Sequence, residues 1–93
     1  MSDYIVLKQI RLGPAHVRSG KTRHYLGGTE LPPATFLRIV EYPGEEGVYL
    51  LYFDADDVEM TDTLHDTVEA ALSQAEFEYG IQPHEWQTIH DNN

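Results

Sequence analysis

Hydrophobic and polar positions alternate, in part, along residues 4–12, Tyr-Ile-Val-Leu-Lys-Gln-Ile-Arg-Leu. That alternation, with its β-branched and aliphatic side chains, predicts a first strand ending at Gly13-Pro14. Residues 13–34 carry no sustained period. They hold Gly13, Gly20, Gly27, Gly28 and Pro32-Pro33, with His16, Arg18, Lys21, Arg23 and His24 between them. This predicts a long basic loop with at most a short strand at Arg23 to Leu26, and connections of such length in compact domains tend to be functional or mobile. Alternation returns from Thr35 to Tyr42, with Phe36, Arg38, Val40 and Tyr42 on one face and Leu37, Ile39 and Glu41 on the other. Pro43-Gly44-Glu45-Glu46-Gly47 is turn chemistry, so Val48 to Asp54 should run back antiparallel. Both faces of that strand are apolar, which predicts a central position. A polar turn at Asp54-Ala55-Asp56-Asp57 then precedes a short fourth strand, Val58 to Thr61.

The period changes to that of a helix after Asp66. Val68, Ala71, Leu72, Ala75 and Tyr79 form one apolar stripe, while Glu69, Ser73 and Glu76 face away. Asp66 and Glu69 have the spacing of a capping box, Gly80 fits a left-handed C-cap with Ile81 as its hydrophobic contact, and Pro83 prevents the helix from resuming. Trp86 to Ile89 can add a last short strand before a frayed tail, His90 to Asn93. The sum is a single α+β domain over residues 1–93. It has two layers, an antiparallel sheet of four to five strands with one long C-terminal helix packed on one face. One helix covers one face. The other face, bearing Phe36, Val40 and Tyr42, then needs a cover, which the loop of residues 13–34 or a second copy in a homodimer would supply.

Composition narrows the classes of function. The 93 residues contain no cysteine, which removes disulfides, thiolate chemistry and Cys-based zinc sites. The longest apolar run, Val48 to Phe53, is far shorter than the roughly 20 residues of a membrane-spanning helix. Met1-Ser2-Asp3-Tyr4 has no signal-peptide character, so a cytoplasmic protein without membrane partners is expected. The formal charge is -10 and it is unevenly placed. All six Lys and Arg, namely Lys8, Arg11, Arg18, Lys21, Arg23 and Arg38, stand in residues 1–38 against two acidic side chains, whereas residues 39–93 hold fourteen acidic side chains and no Lys or Arg. Nucleic acids and anionic lipids are therefore poor candidate partners. An acidic surface ordinarily serves solubility, and its more specific use is to receive a basic protein partner.

Candidate chemistry is sparse. Ala15 to Thr22 matches a relaxed phosphate-loop pattern, but Arg23 to Gly28 is no helix and could not aim its N-terminus at a phosphate. Asp54, Asp56, Asp57, Glu59 and Asp62 concentrate five carboxylates, yet Val58, Glu59 and His65 occupy the fifth, sixth and twelfth positions of what would be a calcium loop. The candidate metal or acid-base set is thus Asp54, Asp56, Asp62 and His65, set against a solvated turn in which Asp62, Thr63 and Asp66 cap backbone donors. No cofactor and no catalytic residue is predicted. Phe77 lies opposite the middle of the apolar stripe between Glu76 and Glu78, so it is either folded under a neighbouring segment or an aromatic anchor in an acidic rim.

Asp62-Thr63-Leu64-His65 leading into Ala75-Glu76-Phe77-Glu78-Tyr79-Gly80-Ile81, followed by Trp86, resembles a small family of uncharacterised bacterial proteins. Its pattern is a D-T-x-H turn, a helix ending A-E-F-E-[FY]-G-[IV], and a Trp shortly after. The resemblance implies a bacterial origin and an α+β fold, and brings no activity with it. Leu64 stands where the family would have an aromatic and Asp57 where it would more often have Gly. The leading expectation is a non-enzymatic interaction domain for a basic partner, of the immunity or inhibitor type, using Glu69, Glu76, Phe77 and Glu78. The face of Phe36, Val40 and Tyr42 is a second candidate surface. The alternative is a small metal-binding protein or enzyme built on the Asp54–Asp62 and His65 carboxylate cluster.

Overall fold

The computed structural model describes residues 4–14, 16 and 25–90. Among these described residues seven strands and one α-helix follow in the order β1 (Ile5–Arg11), β2 (Tyr25–Leu26), β3 (Thr29–Glu30), β4 (Phe36–Glu41), β5 (Val48–Phe53), β6 (Glu59–His65), α1 (Val68–Tyr79) and β7 (Gln87–Thr88), with a 3-10 turn at Pro83–Glu85. Five strands form one antiparallel sheet in the order β6-β5-β4-β1-β7, and β2 with β3 is a separate small hairpin. The α+β class and the interior place of β5 are as the alternation predicts. None of the described helices is long and apolar enough to cross a membrane.

Two elements differ from expectation. The fourth strand is seven residues long and continues to His65, so Asp62, Thr63 and His65 belong to a strand and not to a turn before the helix. The helix is correspondingly short, 12 residues, and its N-cap is Thr67, whose hydroxyl accepts from the Ala70 N–H at 3.1 Å. Asp66 is exposed one position earlier. The C-terminal end is as expected. Gly80 sits at φ 70°, ψ 22° and its N–H donates to the Glu76 carbonyl, a left-handed cap that a side chain would strain.

The first face of the sheet presents Leu37, Ile39, Leu50 and Tyr52, joined by Leu7, Ile10 and Val48. The helix lies over β5 and β6 and contributes Ala71, Ala75 and Tyr79. Because β7 pairs with β1 at the far edge, residues 80–86 carry the chain across the sheet, and Ile81 and Trp86 are buried in the same core. Buried Trp86 Nε1 has no hydrogen-bond acceptor among the described residues.

The second face carries a cover of its own side chains; of the covers expected for it, much of the 13–34 loop lies outside the described residues. Phe36 is 8% exposed and Val40 0%, with Leu51 and Phe53 beside them, and the side chains standing on the same face close over them. The Arg11 and Arg38 guanidiniums lie 4.7 and 5.1 Å from the centre of the Phe36 ring, and Arg38 also lies 5.3 Å from that of Phe53. Tyr4, Tyr42 and Tyr49 continue the cover as edge-to-face neighbours, with centroids 5.6 and 5.1 Å apart. Long amphipathic side chains lay their stems and ring faces on the apolar surface and keep polar heads in water. Phe36 and Val40 are thus buried beneath side chains of their own sheet, and Tyr42, the third residue of that candidate surface, is half-buried.

Candidate functional site

The edges of the sheet are unequal. At one end β7 pairs with β1 over two residues, Lys8 with Thr88 and Gln9 with Gln87, so this margin is short. At the other end β6 is a seven-residue outermost strand. An outermost strand of that length presents backbone N–H and C=O groups along its free side, the template on which an extended chain can add.

Alternation sends the side chains of β6 to opposite faces. Thr63 and His65 pair with Leu50 and Val48 and share their face, while Asp62 and Leu64 pair with Leu51 and Tyr49 and share the open face. Leu64 is 60% exposed. Asp62 and, further along the strand, Glu59 stand on the same face, and Glu45 accepts a hydrogen bond from the hydroxyl of Tyr49, the partner of Leu64 across the ladder, at 3.1 Å. Partial burial and then the neighbouring Asp62 push the Glu59 carboxyl above its ordinary value. Burial, followed by Glu59 and Asp62, raises the Tyr42 hydroxyl as well. In both shifts burial is the larger cause and the neighbouring carboxylates the smaller.

The proposed carboxylate cluster does not assemble. Asp54 Oδ1 accepts from the backbone of Asp56 at 2.8 Å and Val58 at 3.0 Å, which makes Asp54 the organiser of its own turn. Asp57, at φ 61°, instead meets Arg11 at 3.3 Å. Asp62 and His65 point to opposite faces. Among the described residues no group of three or more His, Asp or Glu is placed to hold a metal ion. The phosphate-loop-like Ala15 to Thr22 lies outside the described residues except for His16, as do Arg18, Lys21, Arg23 and His24.

The helix surface needs a different correction. Glu69 and Glu76 are exposed and Phe77 is 48% exposed, but Glu78 is 0% exposed. Its position explains this, since Ala71, Ala75 and Glu78 fall at i, i+4 and i+7 on the buried stripe. Glu78 Oε1 accepts from the Tyr52 hydroxyl and from Gln74 Nε2, so its carboxylate is tied into the core and cannot serve as rim. Burial, and then the bond to Glu78, push the Tyr52 hydroxyl far up. Thr63 Oγ1 and His65 Nε2, 2.8 Å apart, extend this polar chain under the helix. Burial lowers the His65 imidazole, with Glu78 and Asp66 acting in the opposite sense.

A second polar clamp closes the other margin. His16 Nδ1 accepts from the Gly13 N–H at 3.0 Å, which places the proton on Nε2, and that nitrogen donates to Glu85 Oε1 at 2.7 Å. Glu85 Oε2 accepts from the Gln82 N–H. The backbone bond from Gln82, and then that from His16, pull the Glu85 carboxyl down. Sequence reasoning placed none of this, nor the stacking of Arg11 and Arg38, because each contact joins residues far apart in the chain. No family model, curated protein or solved structure matches the chain, so function must be argued from the chemistry of these surfaces.

Proposed function

We propose that the chain is a non-enzymatic protein-binding domain that receives an extended, basic segment of a partner along the outer side of β6. The observation that carries this is the composition of that edge. It is a full-length outermost strand, flanked on the open face by Glu45, Glu59, Asp62 and the exposed Leu64, in a chain that has no Lys or Arg after Arg38. Edge strands usually deter pairing with lysine, proline or a bulge. β6 has such an irregularity at Met60, opposite Tyr52 and Phe53, which leaves Thr61 to His65 as its regular stretch, and its charge is negative, so it repels a second copy of the same acidic edge and attracts a basic one. Backbone pairing would supply affinity and Leu64 an apolar contact. Glu69 and Glu76, on a helix lying over β5 and β6, extend the attractive field, and Phe77 beside them adds an exposed aromatic surface. An immunity-type or inhibitor-type domain for a cationic protein is the class of function this describes, in a cytoplasmic bacterial setting.

The test uses immobilised lysine-rich extended peptide as probe and follows association and dissociation rates at two salt concentrations. The paired variant Glu59→Gln with Asp62→Asn should slow association, and added salt should slow it further as the Debye length falls from about 10 Å at 0.1 M to about 3 Å at 1 M. Leu64→Ala should speed dissociation. If Glu69→Gln with Glu76→Gln slows association while the β6 pair does not, the helix and not the edge receives the partner.

A further inference from the structure

The open face is divided by charge, and its basic half is unexplained by a basic partner. Arg11 and Arg38 hold their guanidiniums 4.7 and 5.1 Å from the centre of one ring, Phe36, and both line the same groove. Arg11 is offset by Asp57 at 3.3 Å, but both side chains are more than half exposed, and such pairs contribute little. Arg38 is held by neutral acceptors, Gln9 Oε1 at 3.3 Å and the Tyr4 hydroxyl at 3.2 Å. No described carboxylate lies within ion-pairing distance of it, in a chain with 16 Asp and Glu. Stacking on Phe36 and Phe53 fixes its plane, so its fork is oriented before anything binds.

These side chains border a groove of about 510 Å³ lined by Gln9, Arg11, Phe36, Arg38, Glu85 and Gln87. Glu85 is its one carboxylate among the described residues, and both oxygens already accept hydrogen bonds, from His16 and Gln82. The Gln9 and Gln87 amides face each other at 3.4 Å and can turn to a ligand.

The geometry points to a binding site for a small dianionic oxyanion, held between the Arg11 and Arg38 forks on the Phe36 platform. Two guanidiniums match two negative charges, and each fork accepts a carboxylate or phosphate through paired N–H···O bonds. Asp57 competes for Arg11, so the ligand displaces an existing weak pair. Phosphate monoesters and dicarboxylates share this chemistry.

Inorganic phosphate and succinate are the probes, titrated against the Arg side-chain N–H resonances at constant ionic strength set with chloride. A saturable shift of Arg38 Nε–H is expected, with a midpoint below about 10 mM. It should vanish in Arg38→Gln. Because that change also removes cover from Phe36, a second variant is needed. Asp57→Asn frees Arg11 of its competitor and keeps a residue that tolerates φ 61°, so it should tighten binding about threefold or more, a gain that unfolding cannot mimic. Saturation by phosphate alone identifies the phosphate ester class, by succinate alone the dicarboxylate class, and by both the shared oxyanion. A shift that never saturates, that survives Arg38→Gln, or that is unaffected by Asp57→Asn overturns the site.

Discussion

On the helix side of the sheet, Leu37, Ile39, Leu50 and Tyr52 are covered by a second layer of backbone, the helix and the crossing segment that buries Ile81 and Trp86. On the other side, Phe36, Val40, Leu51 and Phe53 reach comparable burial beneath arginine and tyrosine side chains rooted on the sheet itself. The first cover is fixed by chain connectivity and hides even the carboxylate of Glu78. The second ends in guanidiniums and hydroxyls that face solvent. Equal burial thus has different consequences: one side is core, and the other is dry underneath and chemically available on top.

The largest effect should come from breaking the first side at its polar centre. Glu78→Ala would leave the buried Tyr52 hydroxyl and the Gln74 amide without their shared acceptor and open a cavity, at a cost of about 3 kcal/mol. A shift of the denaturant midpoint far smaller than this would mean that Glu78 is not enclosed. Next is the hairpin that joins β4 to β5. A Cβ on Gly47, at φ 81°, would stand 2.6 Å from the His65 carbonyl oxygen, whereas Gly80, at φ 70°, has open space around it. Gly47→Ala should therefore cost about 2 kcal/mol or more through strain and clash together, and Gly80→Val somewhat above 1 kcal/mol through strain alone. Thermal melts of the two variants would rank them, and a reversed order would misplace the β5–β6 packing.

Arg38→Ala strips the cover from the second side without touching backbone. It should cost about 1 kcal/mol and leave Phe36 and Phe53 open to a hydrophobic dye and to self-association, both visible by fluorescence and light scattering. An unchanged dye response would show that the arginine is not the cover. The smallest effect is a pH dependence on the helix side. Burial depresses His65 in the folded state, so the unfolded chain takes up the proton first. Its contribution is fully present above the unfolded value of 6.5 and is lost as pH falls below it through the depressed folded value. His65→Gln should flatten the fall of melting temperature in that window, and an identical fall in the variant would assign it to other groups.

Much of the first side is legible in the sequence. Alternation at Thr35 to Tyr42 and at Val48 to Asp54 marks β4 and β5 within a residue, and the stripe ending at Gly80 marks the helix. β6 is harder to read because a strand with one edge in solvent and one margin of its sheet needs few apolar residues. Glu59-Met60-Thr61-Asp62-Thr63-Leu64-His65 has no clean period, and its Asp and Thr imitate caps. Glu78 is missed when charge is taken as a sign of exposure, although its i+3 spacing from Ala75 places it on the buried stripe. The arginine cover has no local signal at all. Arg11 and Arg38 meet on one ring only because β1 pairs Arg11 with Phe36 and Gln9 with Arg38, a register that the pattern within either strand does not specify.

The central claim, that the acidic edge of β6 receives an extended basic segment, is tested most directly by amide hydrogen exchange across residues 59–65 with and without the lysine-rich peptide. In a strand at the sheet margin the N–H groups alternate between the β5 side and solvent. Strand addition predicts that from Thr61 to His65 every second amide of β6 is protected in the free protein and that the intervening set gains protection on binding, while β1 and β7 are unchanged. Uniform protection of β6 in the free protein would mean that the edge is already occupied. Protection gained only on the helix, or on none of the β6 amides, would contradict addition of a strand there.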